Sequence, residues 1–463
     1  MKKRNAVGKA AICVVLSLLL AGCADSTSGE DKNQTASGTA SQSPAVKEVT
    51  VEAKAEYPTE PEFKSEEEQH EFLNTKRQAL SEDFTEAYHD FAMETSAELF
   101  KGSSGNMVYS PLSLYYALAL ACNGAEGDTQ EEMLELLGYD EMEQLAADCK
   151  ESFEKLYYVP NEKNNKPNEY GEYAPESRYT LKLANSLWVD DAIELKDAYT
   201  KSAAECFYAD MFKGDLQSAE TAAKKSQWVS EHTNGLLTPS EEPANAQAVL
   251  SIINTVYFYD EWITNFQKEA TAEDQFTLAD GSQVTCDFMN RIEFSSGFRR
   301  GENYTASSMA LKNGRMTFVL PNEGTDVHDL VKDEELLEAV LRDGGESLFG
   351  KVTWKVPKFS YGCKTEMADM LKTLGMEDAF SGDADFSNMT DSETMFISDV
   401  MQNAHLGIDE NGVEAAAFTE ILFCGAALPK DEAEMILDRP FLYAVEHNGQ
   451  ILFIGICENP SES

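Results

Sequence analysis

The segment between Glu410 and Pro440 constrains this chain more than any other, because it reads locally as either of two structures. As a helix it starts at Asn411, which can cap the first turn with Glu414 three residues on. It then runs into Ala415, Ala416 and Ala417, the strongest helix formers. As a strand it alternates: Val413, Ala415, Ala417, Thr419, Ile421 and Phe423 share one face, while Glu414, Ala416, Phe418, Glu420, Leu422 and Cys424 share the other. Local signal alone leans to the helix, and the rest of the chain has to decide.

At the N-terminus, Lys2, Lys3, Arg4 and Lys9 precede an apolar run over residues 10–21 that is too short for an ordinary membrane span. The run ends in Leu20-Ala21-Gly22-Cys23, which resembles a bacterial lipobox in which Cys23 is diacylated and becomes the mature N-terminus. The alternative is an ordinary signal peptide cleaved near Ala21. Residues 24–65 are rich in Ser, Thr, Glu and Ala and hold almost no large apolar side chain, so they read as a disordered stalk. The expected organisation is a lipoprotein signal peptide over 1–22, a lipidated N-terminus and stalk over 23–75, and a globular remainder. That places the protein at the cell membrane, anchored through Cys23 with its domain on the extracellular face.

The globular part exceeds the usual domain size, but no second low-complexity break divides it, which leaves one large domain or two. The whole chain carries 37 basic and 82 acidic residues, a net charge of −45. Such a surface repels phosphate backbones and excludes nucleic acid as a partner. It also repels an anionic bilayer, which suits a domain held away on a stalk. The seven cysteines beyond Cys23 are scattered and form no CxxC pair, so neither a zinc site nor a disulfide framework is expected.

Apolar residues at helical spacing over 80–100 predict a helix, and Pro111 fits the first turn of a buried one. Strand patterns dominate later: 181–189, 248–258, 315–320 and 351–359, then two strands flanking Asn448-Gly449, a strong hairpin signal. A further helix is expected over 365–374. Strands and helices mixed without regular alternation indicate an α+β protein. Chemistry is sparse. None of the six histidines has HExxH spacing, and no nucleophile elbow, P-loop or dinucleotide fingerprint occurs. No enzyme activity, cofactor or metal is expected.

Several segments, in order, resemble the serpin family. They are Asn106-Met-Val-Tyr-Ser110-Pro111-Leu-Ser113, Gly124-Ala-Glu-Gly127-Asp-Thr129, Trp228-Val-Ser-Glu-His-Thr233-Asn-Gly235 and Asn254-Thr-Val-Tyr-Phe258-Tyr-Asp-Glu-Trp262 with Phe266. Pro357-Lys-Phe359, Leu374-Gly-Met376, Ala379-Phe380, Ala384-Asp-Phe386, Glu410-Asn-Gly412-Val-Glu414-Ala-Ala-Ala-Phe-Thr419 and Arg439-Pro440-Phe441 continue the pattern. The match spans 76–460 and assigns that span to a single domain.

The resemblance implies three β-sheets, about nine helices and an exposed reactive-centre loop over 410–438. It also implies a serine protease as partner and a monomer as the state. The protease would cleave the loop as substrate and form an acyl-enzyme. The freed loop would then insert as a new strand of the large sheet and distort the protease. Glu410, Gly412, Val413, Glu414, Ala415, Ala416, Ala417, Phe418 and Thr419 correspond to the loop hinge. Ser110, Ser113, Asn254 and Trp262 correspond to the sheet-opening region, with Gln402 where the family often has histidine. Phe418 departs from the small residues usual in the hinge. By alternation it lies on the outward face, so it is expected to slow insertion rather than abolish it.

Counting fourteen residues on from Gly412, or back from Pro440, reaches Ala426 and makes Ala426-Ala427 the expected scissile bond. A small residue there suits elastase-like or subtilisin-like proteases; a frame shifted to Phe423 or Leu428 suits chymotrypsin-like ones. The alternative function is that of a non-inhibitory serpin acting as a surface binding module.

Overall fold

The apolar run after residue 247 becomes the centre of the larger architecture in the computed structural model, which describes residues 12–22, 48–161, 164, 179–239, 248–391, 395–413 and 431–462. It forms β6 (Ala248–Glu261), which is apolar on both faces because both faces are covered. Below lies α3 (Pro111–Cys122), every residue of which is buried. A helix apolar all round has no solvent face to offer and is driven inside. Ser110 caps it and Pro111 occupies its first turn, as the sequence predicts. Above lies α7 (Ala219–His232), whose Trp228 and Val229 pack with Ile253 of β6.

The sheet around β6 runs in the order β12 (Phe359–Glu366), β13 (Met395–Ile408), β1 (Ile12–Gly22), β6, β4 (Thr180–Val189), β5 (Ala209–Lys213), β2 (Thr50–Ala53). The short β14 (Gly412–Val413) also pairs with β6. A second hydrogen-bonded unit runs β15 (Asp431–Ile436), β11 (Glu346–Pro357), β8 (Gln283–Arg300), β9 (Tyr304–Ala310), β10 (Gly314–Pro321), β16 (Phe441–His447), β17 (Gln450–Cys457), β3 (Met107–Tyr109), with β7 (Ala272–Thr277) on β8. The 18-residue β8 bonds to β7, β11 and β9, so it joins two of the three expected sheets into one ladder.

Nine α-helices occur among the described residues. Beside α3 and α7 these are α1 (Glu66–Lys76), α2 (Glu82–Phe100), α4 (Gly127–Leu137), α5 (Met142–Leu156), α6 (Asp197–Cys206), α8 (Glu334–Glu338) and α9 (Ala368–Thr373). The expected hairpin forms at Asn448-Gly449, with φ of 49° and 78°.

Three expectations need correction. The helix expected over 365–374 is only α9, because Thr365 and Glu366 stay in β12, paired with Gln402 and Met401. The helix start at Asn411 does not form. Asn411 N–H instead donates to the Asp409 carboxylate (2.8 Å) in a turn, and the chain leaves it extended as β14. The third concerns the stalk: part of the stretch expected to be disordered carries regular structure, β2 on the edge of β5 and α1 over Glu66–Lys76.

Two forces override the polar composition of that stretch. The open edge of β5 offers ladder bonds to β2, and Tyr57 stacks on Tyr157 with ring centroids 5.3 Å apart. Glu60, 5% exposed, accepts from Tyr158 Oη (2.7 Å), Asn161 N–H (2.6 Å) and Asn164 Nδ2 (3.0 Å). Glu60→Ala would strand those donors and should cost about 2 kcal/mol. A urea-unfolding midpoint unchanged by that substitution would show that the strap adds nothing to stability.

No helix among the described residues is long and apolar enough to cross a membrane. The apolar residues 12–22 appear as β1, a strand antiparallel to both neighbours. Leu16 is level with Gln402 on one side and Asn254 on the other.

Candidate functional site: the loop hinge and the sheet opening

The polar residues expected at the sheet opening do come together, and each is held by tertiary partners. The backbone N–H of Ser110 donates to Gln402 Oε1 (2.9 Å), and Gln402 Nε2 donates back to the Ser110 carbonyl (3.0 Å). This two-point clamp ties the start of α3 to β13. Ser113 Oγ donates to Asn254 Oδ1 (2.5 Å), and Asn254 Nδ2 donates to Asn185 Oδ1 (2.8 Å). Asn185 in turn donates to the Phe207 carbonyl (2.5 Å). Ser110, Ser113, Asn254 and Asn185 are fully buried and Gln402 nearly so.

Gln402 and Asn254 thus stand on opposite banks of the same slot, at the same level. Buried polar groups that are all satisfied specify one arrangement, because any shift leaves a donor stranded. The sequence reading missed Asn185. Its signal was a polar residue inside the otherwise apolar alternation of β4.

Higher up, Trp262 is completely buried and its indole N–H donates to the Asp409 carbonyl (3.1 Å). The backbone N–H groups of Trp262 and Phe266 donate to the Asn411 and Glu410 carbonyls (3.2 and 2.9 Å). Glu410 is anchored by Lys358 (3.1 Å) and Thr271 Oγ1 (2.8 Å). Burial pushes the Glu410 carboxyl up. Its own backbone N–H, Thr271 and Lys358 together outweigh that and hold it below the usual carboxylate range.

Gly412 has φ of 125°, and a Cβ there would lie 2.6 Å from Trp262 N and 2.9 Å from Glu261 Cα. Only glycine fits, so the expected hinge glycine sits where the chain passes against β6 with no room for a side chain. Val413 pairs with Asp260. Glu414, Ala415, Ala416, Ala417, Phe418 and Thr419, together with Ala426 and Ala427, lie outside the described residues, as does Cys23. The chain is held again past the loop, where β15 runs parallel to β11 and Arg439 donates to the Pro321 carbonyl (2.9 Å).

Asp260 was also missed. It is fully buried and accepts from Asn313 N–H (2.7 Å), Asn313 Nδ2 (3.3 Å) and Glu261 N–H (2.9 Å), which ties the top of β6 to the β9–β10 turn. Burial pushes its carboxyl up to about 7, against the pull of those donors. A raised folded value means the stabilising contribution is complete below the usual carboxylate range and is lost as pH rises through about 7. His447, which burial pushes down to about 4, acts oppositely at lower pH. The parent should therefore lose more melting temperature than Asp260→Asn between pH 6.5 and 8; equal losses would rule the effect out.

Nothing in this arrangement is a catalytic constellation, and no group of three His, Cys, Asp or Glu side chains among the described residues is disposed to hold a metal. What it does is fix β6 and β13 on either side of β1 and seat the first residues of the loop beside β6.

Comparison with known proteins follows the same lines. A sequence profile of the family Serpin (serine protease inhibitor) matches residues 86–460. Serpin-Z2A of Triticum aestivum is 30% identical over 392 residues, covering 78% of this chain and 92% of its own. The native-state structure of the thermophilic serpin tengpin has a TM-score of 0.71 at 25% identity, covering 89% of this chain and 100% of its own. Human thyroxine-binding globulin shares the fold, with a TM-score of 0.67 at 23% identity over 82% of this chain and 99% of its own. The chain belongs to the serpin family, the serine protease inhibitors.

Proposed function

We propose that this protein inhibits serine endopeptidases as a suicide substrate, cleaved at Ala426-Ala427 and trapping the protease as its loop enters the slot between β6 and β13. One observation carries the reading: that slot accepts a strand antiparallel to both banks, and the loop begins in its register. Gly412 and Val413 pair with Glu261 and Asp260. Continuing residue by residue brings Ala415 opposite Phe258, Ala417 opposite Val256 and Thr419 opposite Asn254, where β1 carries Ile12, Val14 and Leu16. Phe258, Val256 and Asn254 belong to the inward face, so small loop side chains enter there without overpacking. Phe418 would fall opposite Thr255, on the side where Ile253 meets α7, which supports slowed rather than blocked insertion.

Because β1 occupies this slot, leader and loop compete for one place. Cleavage before Cys23 would remove the whole of β1, which ends at Gly22. Diacylation of Cys23 would then hold the domain at the extracellular face of the membrane. The small residues at the expected bond favour elastase-like or subtilisin-like targets.

The test is to mix the mature protein with pancreatic elastase or subtilisin and look for a complex that survives denaturing electrophoresis. Complete cleavage without such a complex would defeat the inhibitor reading. It would favour a non-inhibitory binding module, for which Phe418 is the motivating departure. In that case nicking the loop would leave the melting temperature unchanged.

A further inference from the structure

The large apolar side chains that stand half or more in solvent among the described residues are Val51, Ile263, Ile292, Phe294 and Phe349. Four of these five surround the feet of the loop. Ile263 follows Trp262, which is bonded to the hinge. Ile292 and Phe294 lie two apart on β8, and Phe349 lies on the adjoining β11. Strand alternation puts the three on one outward face, since Trp354, Val352 and their neighbours turn inward. Ile292 is opposite Thr353. Phe349 is opposite Gly297, which has no side chain to cover the ring.

The next strand on that face is β15, which begins at Asp431, where the described chain resumes after the loop. Two exposed carboxylates of β15 border the patch on that side: Glu432, paired with Lys351 of β11 (3.4 Å), and Glu434. In a chain of net charge −45, a cluster of exposed apolar side chains beside the end of the loop calls for an occupant.

Geometry identifies it. The expected scissile bond lies four residues before Asp431, a reach of at most about 14 Å. Strands spaced about 4.8 Å apart put β8 only about 10 Å from β15. A protease domain of a few hundred residues is about 40 Å across, so the rim of one seated on that bond comes within reach of β15, β11 and β8. We propose that Ile292, Phe294 and Phe349 form a docking surface for the attacking protease. Its complement would be a protease rim carrying apolar side chains with a lysine or arginine beside them, facing Glu434. This rests on reading the loop as a protease target, and it adds a determinant of selectivity outside the bait sequence.

The test replaces all three residues with serine (I292S/F294S/F349S). The protease probe is whichever of pancreatic elastase, subtilisin and chymotrypsin the parent engages fastest. The second-order rate of loop engagement should fall about tenfold or more, as loss of a central apolar cluster does at an interface. Melting temperature and the ratio of complex to cleaved product should be unchanged. Val51→Ser, an exposed apolar residue far from the loop, should leave the rate as it was.

A fall of less than twofold overturns the proposal. So does a parent that sediments as a dimer and becomes monomeric in the triple variant with unchanged rate, which assigns the patch to a second copy. If the parent forms no covalent complex, the trapping reading has failed. The docking surface is then read from the rate of loop nicking, where the same tenfold fall is expected.

Discussion

Thr419→Arg is expected to convert the protein from a trap into a substrate. Its loop should be nicked completely, with covalent complex falling from the main product to under about a tenth of the total. In the slot register Thr419 arrives opposite Asn254, level with Gln402, where every polar group already has its partner. A guanidinium brought there would be a buried charge with no carboxylate to meet it, and removing such a charge from water costs several kcal/mol. Insertion would stall beyond Ala417, the acyl-enzyme would hydrolyse, and the protease would leave active. Phe418→Ala is the counterpart, expected to raise the trapped fraction by easing passage on the α7 side. A Thr419→Arg variant that traps as well as the parent would sink the register, and with it the insertion mechanism.

Second, a chain beginning at Cys23, with serine in place of that cysteine, is expected to differ sharply from the chain that retains residues 1–22. With β1 in the slot, nicking the loop releases nothing, because the place is taken. Without β1, the nicked loop can add on the order of a dozen ladder hydrogen bonds at roughly 1 kcal/mol net each. That is comparable with the whole stability of a typical domain. At the 2–4 °C per kcal/mol seen in mid-sized domains, nicking should raise the melting temperature by about 20 °C or more. Calorimetry of both forms before and after limited proteolysis reads this directly. Equal rises would show that β1 does not compete with the loop; no rise in either would show that the loop does not insert.

The parts of the fold visible in sequence are those whose causes are local. The turn at Asn448-Gly449 needs positive φ at two adjacent positions, and asparagine with glycine supplies it. The wholly apolar stretch after Ser110-Pro111 could only be an interior helix. Ser110, Ser113, Asn254, Trp262 and Gln402 were found by resemblance, but their roles depend on partners far along the chain. Ser110 meets Gln402 across 292 residues and Ser113 meets Asn254 across 141. No local pattern encodes such a pairing. Asn185 and Asp260 stayed hidden for the same reason, each looking like a stray polar residue at a strand position.

The stretch from 48 to 75 failed in the opposite direction. Its composition forecast disorder, yet an unpaired strand edge and a stack of tyrosines give it places to bind. Composition measures what a segment can bury by itself and is silent on what a neighbour offers it.

The segment after Glu410 shows the division most clearly. Sequence by itself established that it is small-sided on one face, glycine-hinged, and open to two conformations, because propensity and alternation are properties of adjacent residues. Tertiary structure alone decided that its first residues run as a strand beside β6. The carbonyls of Asp409, Glu410 and Asn411 are claimed by Trp262 and Phe266, and a Cβ at residue 412 would strike β6. Helix propensity worth a few tenths of a kcal/mol per residue cannot compete with hydrogen bonds already made to a buried wall.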